Sequence, residues 1–196
     1  MHPAMTLTKS LLRVALATAF LLLIPLVAMQ FTREVVWALS DFIIAGVLLF
    51  GTGLTYVVVS RLGNTTSYRL GAGVAVLAGL LLIWINLAVG FLGSEDNPAN
   101  LLFGAVLAVA SVGALVARFR PLGMARAMFA AAFTQFLVPL VAALIYKPEV
   151  DLGMLKVLLL NTIFSGIWAT SGWLFRRAAV QPESNLGVDM QHDASV

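Results

Sequence analysis

The chain has 196 residues, of which 61% are hydrophobic and 11% charged, and its formal charge is +3. Soluble domains carry about 25% charged residues, so this composition cannot coat a globule with a water-compatible surface. With a mean hydropathy of +0.98, the chain needs lipid as its main solvent.

A helix needs roughly 20 apolar residues to cross the hydrocarbon, and unpaired backbone is not tolerated there. Six runs of that kind occur, at residues 11–30, 37–60, 70–92, 101–118, 124–146 and 154–175. They predict an all-α, polytopic membrane helix bundle over residues 1–177, followed by a polar, disordered tail over residues 178–196. The first run follows Lys9 and Arg13 and could also be read as a secretory signal peptide, which would leave five helices. Its apolar stretch is long for that, and Ala28-Met29-Gln30 is a poor cleavage site, so a spanning helix is expected. Short connections predict that successive helices pack as antiparallel neighbours. Small residues at every fourth position supply candidate contact faces: Gly71, Ala75 and Gly79, then Gly104 and Ala108, then Ala127 and Ala131.

Lys and Arg in short loops set orientation. Lys9, Arg13, Arg61, Arg69, Arg118, Arg120, Arg126, Arg176 and Arg177 fall on one side, and only Arg33, Lys147 and Lys156 on the other. Both termini are therefore expected in the cytoplasm. These cations sit at helix ends and are not interleaved with aromatics, so topology explains them better than nucleic acid does.

Polar groups inside lipid are expensive, and each prompts the question of what it binds. Asp41 is the only acidic residue within a span as delimited above; Asn86, Gln135 and Asn161 are the strongest neutral entries, ahead of Thr52, Ser165 and Ser171. Counted down their helices, Asp41, Asn86 and Asn161 come to a similar depth, and Gln135 lies nearer the middle. That is what a shared polar site near the external face would require. The plainer readings are interhelical hydrogen bonds for the amides and, for Asp41, contact with interfacial water or pairing with Arg33.

The segment Gly93-Ser94-Glu95-Asp96-Asn97-Pro98-Ala99-Asn100 is the densest polar motif. Asn97 suits an N-cap and Pro98 a first helical position, while Glu95 and Asp96 complement the helix dipole. With Asp41, the loop residues Glu95, Asp96 and Asn97 could alternatively form an acidic mouth for a hard cation. Trp37 with Asp41-Phe42, Gly46-Val47-Leu48-Leu49-Phe50-Gly51, the loop just described and Ala117-Arg118-Phe119-Arg120-Pro121 resemble an uncharacterised family of bacterial multi-pass membrane proteins. The resemblance runs from the second helix to the sixth. It implies a bacterial inner-membrane location, and brings no activity and no catalytic residues.

The chain has no cysteine, and its two histidines, His2 and His192, lie in polar tails. Thiolate chemistry, iron–sulfur ligation, bis-histidine haem and a membrane zinc site are therefore not expected, and no cofactor or resident metal is. Intramembrane proteolysis would need a second aspartate or a histidine partner. The expected protein is not an enzyme but a membrane component or accessory subunit, with the lipid bilayer and a second copy or another membrane protein as partners. The competing expectation is a small transporter or channel for a proton, cation or polar solute, centred on Asp41.

Overall fold

In lipid, each backbone N–H and C=O must find a partner within its own segment or in a closed sheet. The computed structural model describes residues 7–92, 96–146 and 152–180, and they form six helices, with no strand among the described residues. These are α1 (Leu7–Phe31), α2 (Leu39–Ser60), α3 (Thr66–Ala88), α4 (Phe103–Val116), α5 (Pro121–Tyr146) and α6 (Leu152–Val180). The 3-10 turn Pro98–Leu102 leads into α4, and with it counted in, all six are long and apolar enough to cross a membrane.

Several expected boundaries shift for identifiable reasons. α3 stops at Ala88, short of residue 92, because Gly90 adopts φ 74° and its N–H, like that of Val89, turns back to Ile85 O. It starts at Thr66, four residues earlier than expected, because the Thr65 side chain accepts from the Tyr68 N–H at 3.2 Å. α4 stops at Val116 because Arg118 and Phe119 both take left-handed conformations, φ 48° and 57°, and Phe119 N–H donates to Ala114 O at 3.1 Å. At the other end of the chain α6 continues to Val180, so residues 178–180, assigned to the tail from sequence, are helical. Residues 181–196 lie outside the described residues.

The packing order differs from the chain order. α6 sits between α5 and α3; α5 also packs on α4, α3 on α2, and α2 on α1. Across the bundle the sequence is α4, α5, α6, α3, α2, α1. Four successive pairs are neighbours as expected, but α3 takes α6 as its main partner instead of α4. α1 contributes no buried residue and hangs on α2 alone among the substantial contacts. The centre is built from α3 to α6, with Tyr68, Leu82, Phe103, Val106, Gln135, Asn161, Ser171 and Phe175 fully enclosed.

One end of the bundle holds the nine cations noted above and, among the described residues, no carboxylate. It is tied together by Arg61 donating to Ser10 Oγ (2.8 Å), Tyr68 Oη donating to Phe119 O (2.8 Å) and an edge-on Tyr68–Phe175 contact. At the opposite end, Trp37 packs against Phe42 and Trp84, and Phe91 against Phe103 and Phe164.

The small-residue faces divide. Gly71 lies against Phe175 and Leu174, Gly79 against Leu107 and Trp168, and Ala127 opposes Gly113 so closely that a Cβ on Gly113 would come within 2.7 Å. Ala131 is fully enclosed. The expected face at Gly104 and Ala108 points away from the bundle: nothing stands within 4 Å of a Cβ placed on Gly104, and Ala108 is exposed. α4 packs instead through Phe103, Val106, Ala110 and Ala114.

Candidate functional site

Asp41 is the third residue of α2, and the backbone N–H of Ala38, the residue preceding the helix, donates to its Oδ2 at 2.7 Å. The carboxylate thus closes the first turn and complements the positive end of the helix dipole. It is half-buried and lines neither of the two cavities described below. Asn86 donates from Nδ2 to Leu82 O on its own helix at 2.7 Å, and its buried Oδ1 has no partner.

Gln135 and Asn161 are brought together. They are 0% and 1% exposed, and Gln135 Nε2 donates to Asn161 Oδ1 at 2.8 Å, joining α5 to α6. Asn161 Nδ2 in turn donates to Val157 O at 2.9 Å. This relay has one consistent direction. A carbonyl at Val157 can only accept, so the Asn161 amide must present its nitrogen there and its oxygen to Gln135, which must then donate. The atom left over is Gln135 Oε1, buried and unpartnered. Beside the pair, Ser165 Oγ donates to Ala132 O (2.7 Å), and farther along α6 Ser171 Oγ donates to Gly71 O (2.8 Å).

The loop between α3 and α4 is held by asparagines. Asn97 caps the 3-10 turn as expected, its Oδ1 accepting from Ala99 N–H at 3.0 Å, and its Nδ2 donates to Leu92 O. Asn100, buried beneath it, accepts from both Phe91 and Leu92 N–H at 3.0 and 2.9 Å. Sequence reasoning placed Asn100 in the polar motif but gave it no role of its own; a polar residue at the head of an apolar run was the available signal. It passed over Trp168, whose buried Nε1 has no partner. Asp96 is exposed, and Glu95 lies outside the described residues. Among the described residues no three His, Cys, Asp or Glu side chains gather where they could share a metal ion.

Two cavities flank the core. A cleft of about 610 Å³ separates α2 and α3 from α4, with Trp168 and Met128 behind it; hydrocarbon dominates its walls, with Thr52 and Ser111 among them. A second, of about 600 Å³, lies between α5 and α6 at the end opposite the arginines, and is bounded by Gly90, Asn97, Pro139, Ala142, Lys156 and Val157, among others. Asp41, Asn86 and the Gln135–Asn161 pair therefore do not line one common chamber.

The fold and its polar groups define a polytopic helical membrane protein with an amide pair at its centre. Comparison with family models, with functionally characterised proteins and with solved structures returned no match.

Proposed function

We propose that the chain is a non-enzymatic component of a bacterial inner membrane, with both termini in the cytoplasm, serving as an accessory or assembly subunit that meets lipid and other membrane-protein surfaces. The observation that carries this reading is where the candidate polar groups direct their hydrogen bonds. Asp41 closes its own helix, Asn86 bonds its own backbone, and Gln135, Asn161, Ser165 and Ser171 join helices to one another. Bonds of this kind stabilise helix association in lipid. The resemblance of the α2 and loop motifs to bacterial multi-pass proteins supports the location, and the nine-to-three division of cations supports the orientation.

The test is ion flux through the purified protein in liposomes. Proton and monovalent-cation leak no greater than in protein-free liposomes, unchanged by Asp41→Asn, is the expected result. A flux that Asp41→Asn abolishes would overturn it in favour of a carboxylate-centred transporter.

A further inference from the structure

The cleft walled by α2, α3 and α4 exists because α4 packs on α5, and neither α2 nor α3 is among its substantial neighbours. Small side chains make it deep. Ala72, Ala75 and Gly79 on α3 and Ala110 and Ala114 on α4 leave room for about 610 Å³, with Trp168 of α6 behind. Leu54 and Val58 on α2 and Ser111 and Leu115 on α4 line it and are exposed, so it opens sideways, toward acyl chains. Water is a poor filling, because a buried water makes about three hydrogen bonds. The wall hydroxyls are those of Thr52, Thr55 and Ser111, and Thr55 already donates to Gly51 O at 2.8 Å.

The cleft is about half a bilayer long. Along α2 it runs from Val47 to Val59, about 18 Å at 1.5 Å per residue, against about 15 Å for one leaflet of the hydrocarbon. A partner helix crossing the membrane would need a groove about twice that length. One end of the cleft coincides with the arginine end of the bundle, where no carboxylate stands among the described residues. Phe119, in the wall, lies between Arg118 and Arg120 in the chain. Because Tyr68 Oη donates to Phe119 O at 2.8 Å, Arg69 and Arg118, each next in sequence to a partner of that bond, come to the same end; both are exposed. Arg69 also stands three residues before Ala72, on the α3 face that lines the cleft.

We propose that the cleft holds an acyl chain of one anionic phospholipid from the leaflet at the arginine end, with its phosphate bound by Arg69 and Arg118. The chain fills an apolar cleft of leaflet length, and guanidinium groups take phosphate oxygens through paired N–H donors. Phosphatidylcholine carries the same phosphate but brings an ammonium of its own toward the arginines. The inference is independent of the non-enzymatic reading and of which leaflet is cytoplasmic, since a transporter in either orientation could hold the same lipid.

Trp168 reports on the cleft from its floor. With Trp37, Trp84 and Trp173 changed to Phe it is the single tryptophan of the full chain, and it lies about 12 Å from Arg176 along α6, near mid-chain depth in that leaflet. The protein is placed in phosphatidylcholine vesicles containing rising fractions of phosphatidylglycerol or, separately, phosphatidylcholine brominated at mid-chain; bromine quenches indole fluorescence only near contact. Half-maximal quenching by the phosphatidylglycerol should need a mole fraction at least about fivefold lower, the scale of one basic residue beside an anionic headgroup. Arg69→Gln with Arg118→Gln should bring the two curves together. Ala75→Phe, which fills the cleft, should abolish the strong quenching by phosphatidylglycerol, whereas Ala108→Phe, on the outward face of α4, should leave it unchanged. Coincident curves in the chain that keeps both arginines, or strong quenching that survives Ala75→Phe, would overturn the proposal. Should the phenylalanine variant fail to fold, the arginine pair still decides, because a phosphatidylglycerol preference that survives both glutamines overturns it as well.

Discussion

Gln135 and Asn161 form the one contact between membrane-embedded amides on different helices, among the described residues, and its cost of removal is open to measurement. Replacing Gln135 with Leu strands the Asn161 oxygen, which costs about 0.5–2 kcal/mol of bundle stability in lipid. Replacing both residues with Leu removes donor and acceptor together, so the double variant should lose much less than the sum of the single losses. Reversible unfolding in bicelles, analysed as a double-mutant cycle, reads the coupling directly; additive losses would mean the pair contributes nothing. The amides were visible in the sequence as costly residues, but their pairing was not. Nothing in a helical repeat says which helix a polar face will meet. Asp41 teaches a related lesson: with the helix started at Trp37, it reads as a carboxylate one turn down, whereas a start at Leu39 makes it the third residue, placed to accept the Ala38 N–H. A two-residue change of boundary is enough to turn a candidate ligand into a cap.

At the scale of elements, α1 is held by glycines of α2. A Cβ on Gly53 would fall 2.5 Å from Val14 Cγ1, and one on Gly46 would fall 3.5 Å from Leu22 Cδ1. These positions are seven residues apart and form a seam on which α1 can lie close. Gly53→Leu should therefore separate α1 from α2 while leaving the α3–α6 core intact. Disulfide trapping between cysteines at Leu22 and Gly46 should be efficient in the otherwise unchanged chain and lost in the Gly53→Leu background; persistence of the cross-link would show that the seam does not hold the helix. The existence and rough extent of all six helices were legible, because length and apolarity alone decide what can span a bilayer. Their ends were less so. The left-handed pair Arg118 and Phe119 ends α4 without a glycine, so no residue preference announces it; the turn is held instead by the Tyr68 hydroxyl from another helix. Gly104 and Ala108 mislead in the opposite way, since small residues spaced for close packing face outward.

For the whole molecule, the membrane character follows from composition, but the lateral order does not. In water an amphipathic helix advertises its buried face; in lipid both the partner helix and the acyl chain are apolar, so the pattern that would pair α3 with α6 is absent from the sequence. Orientation belongs to this scale as well. With nine cations at one end and three on the other side, a phosphatase fused after Asn97 should be active only outside the cytoplasm, and a green fluorescent protein fused after Val180 should fluoresce inside. The reverse pattern would refute the proposed orientation.

The central place of α6 bears on how the protein is made. Synthesis delivers α1, α2 and α3 as one connected group and α4 with α5 as another, and the segment that joins them emerges last. Until Leu152–Val180 leaves the ribosome, the two groups lack the helix that packs against both. Nascent chains stalled ahead of that stretch should persist as separable halves open to membrane proteases, so that survival in the cell hinges on the final helix arriving in time.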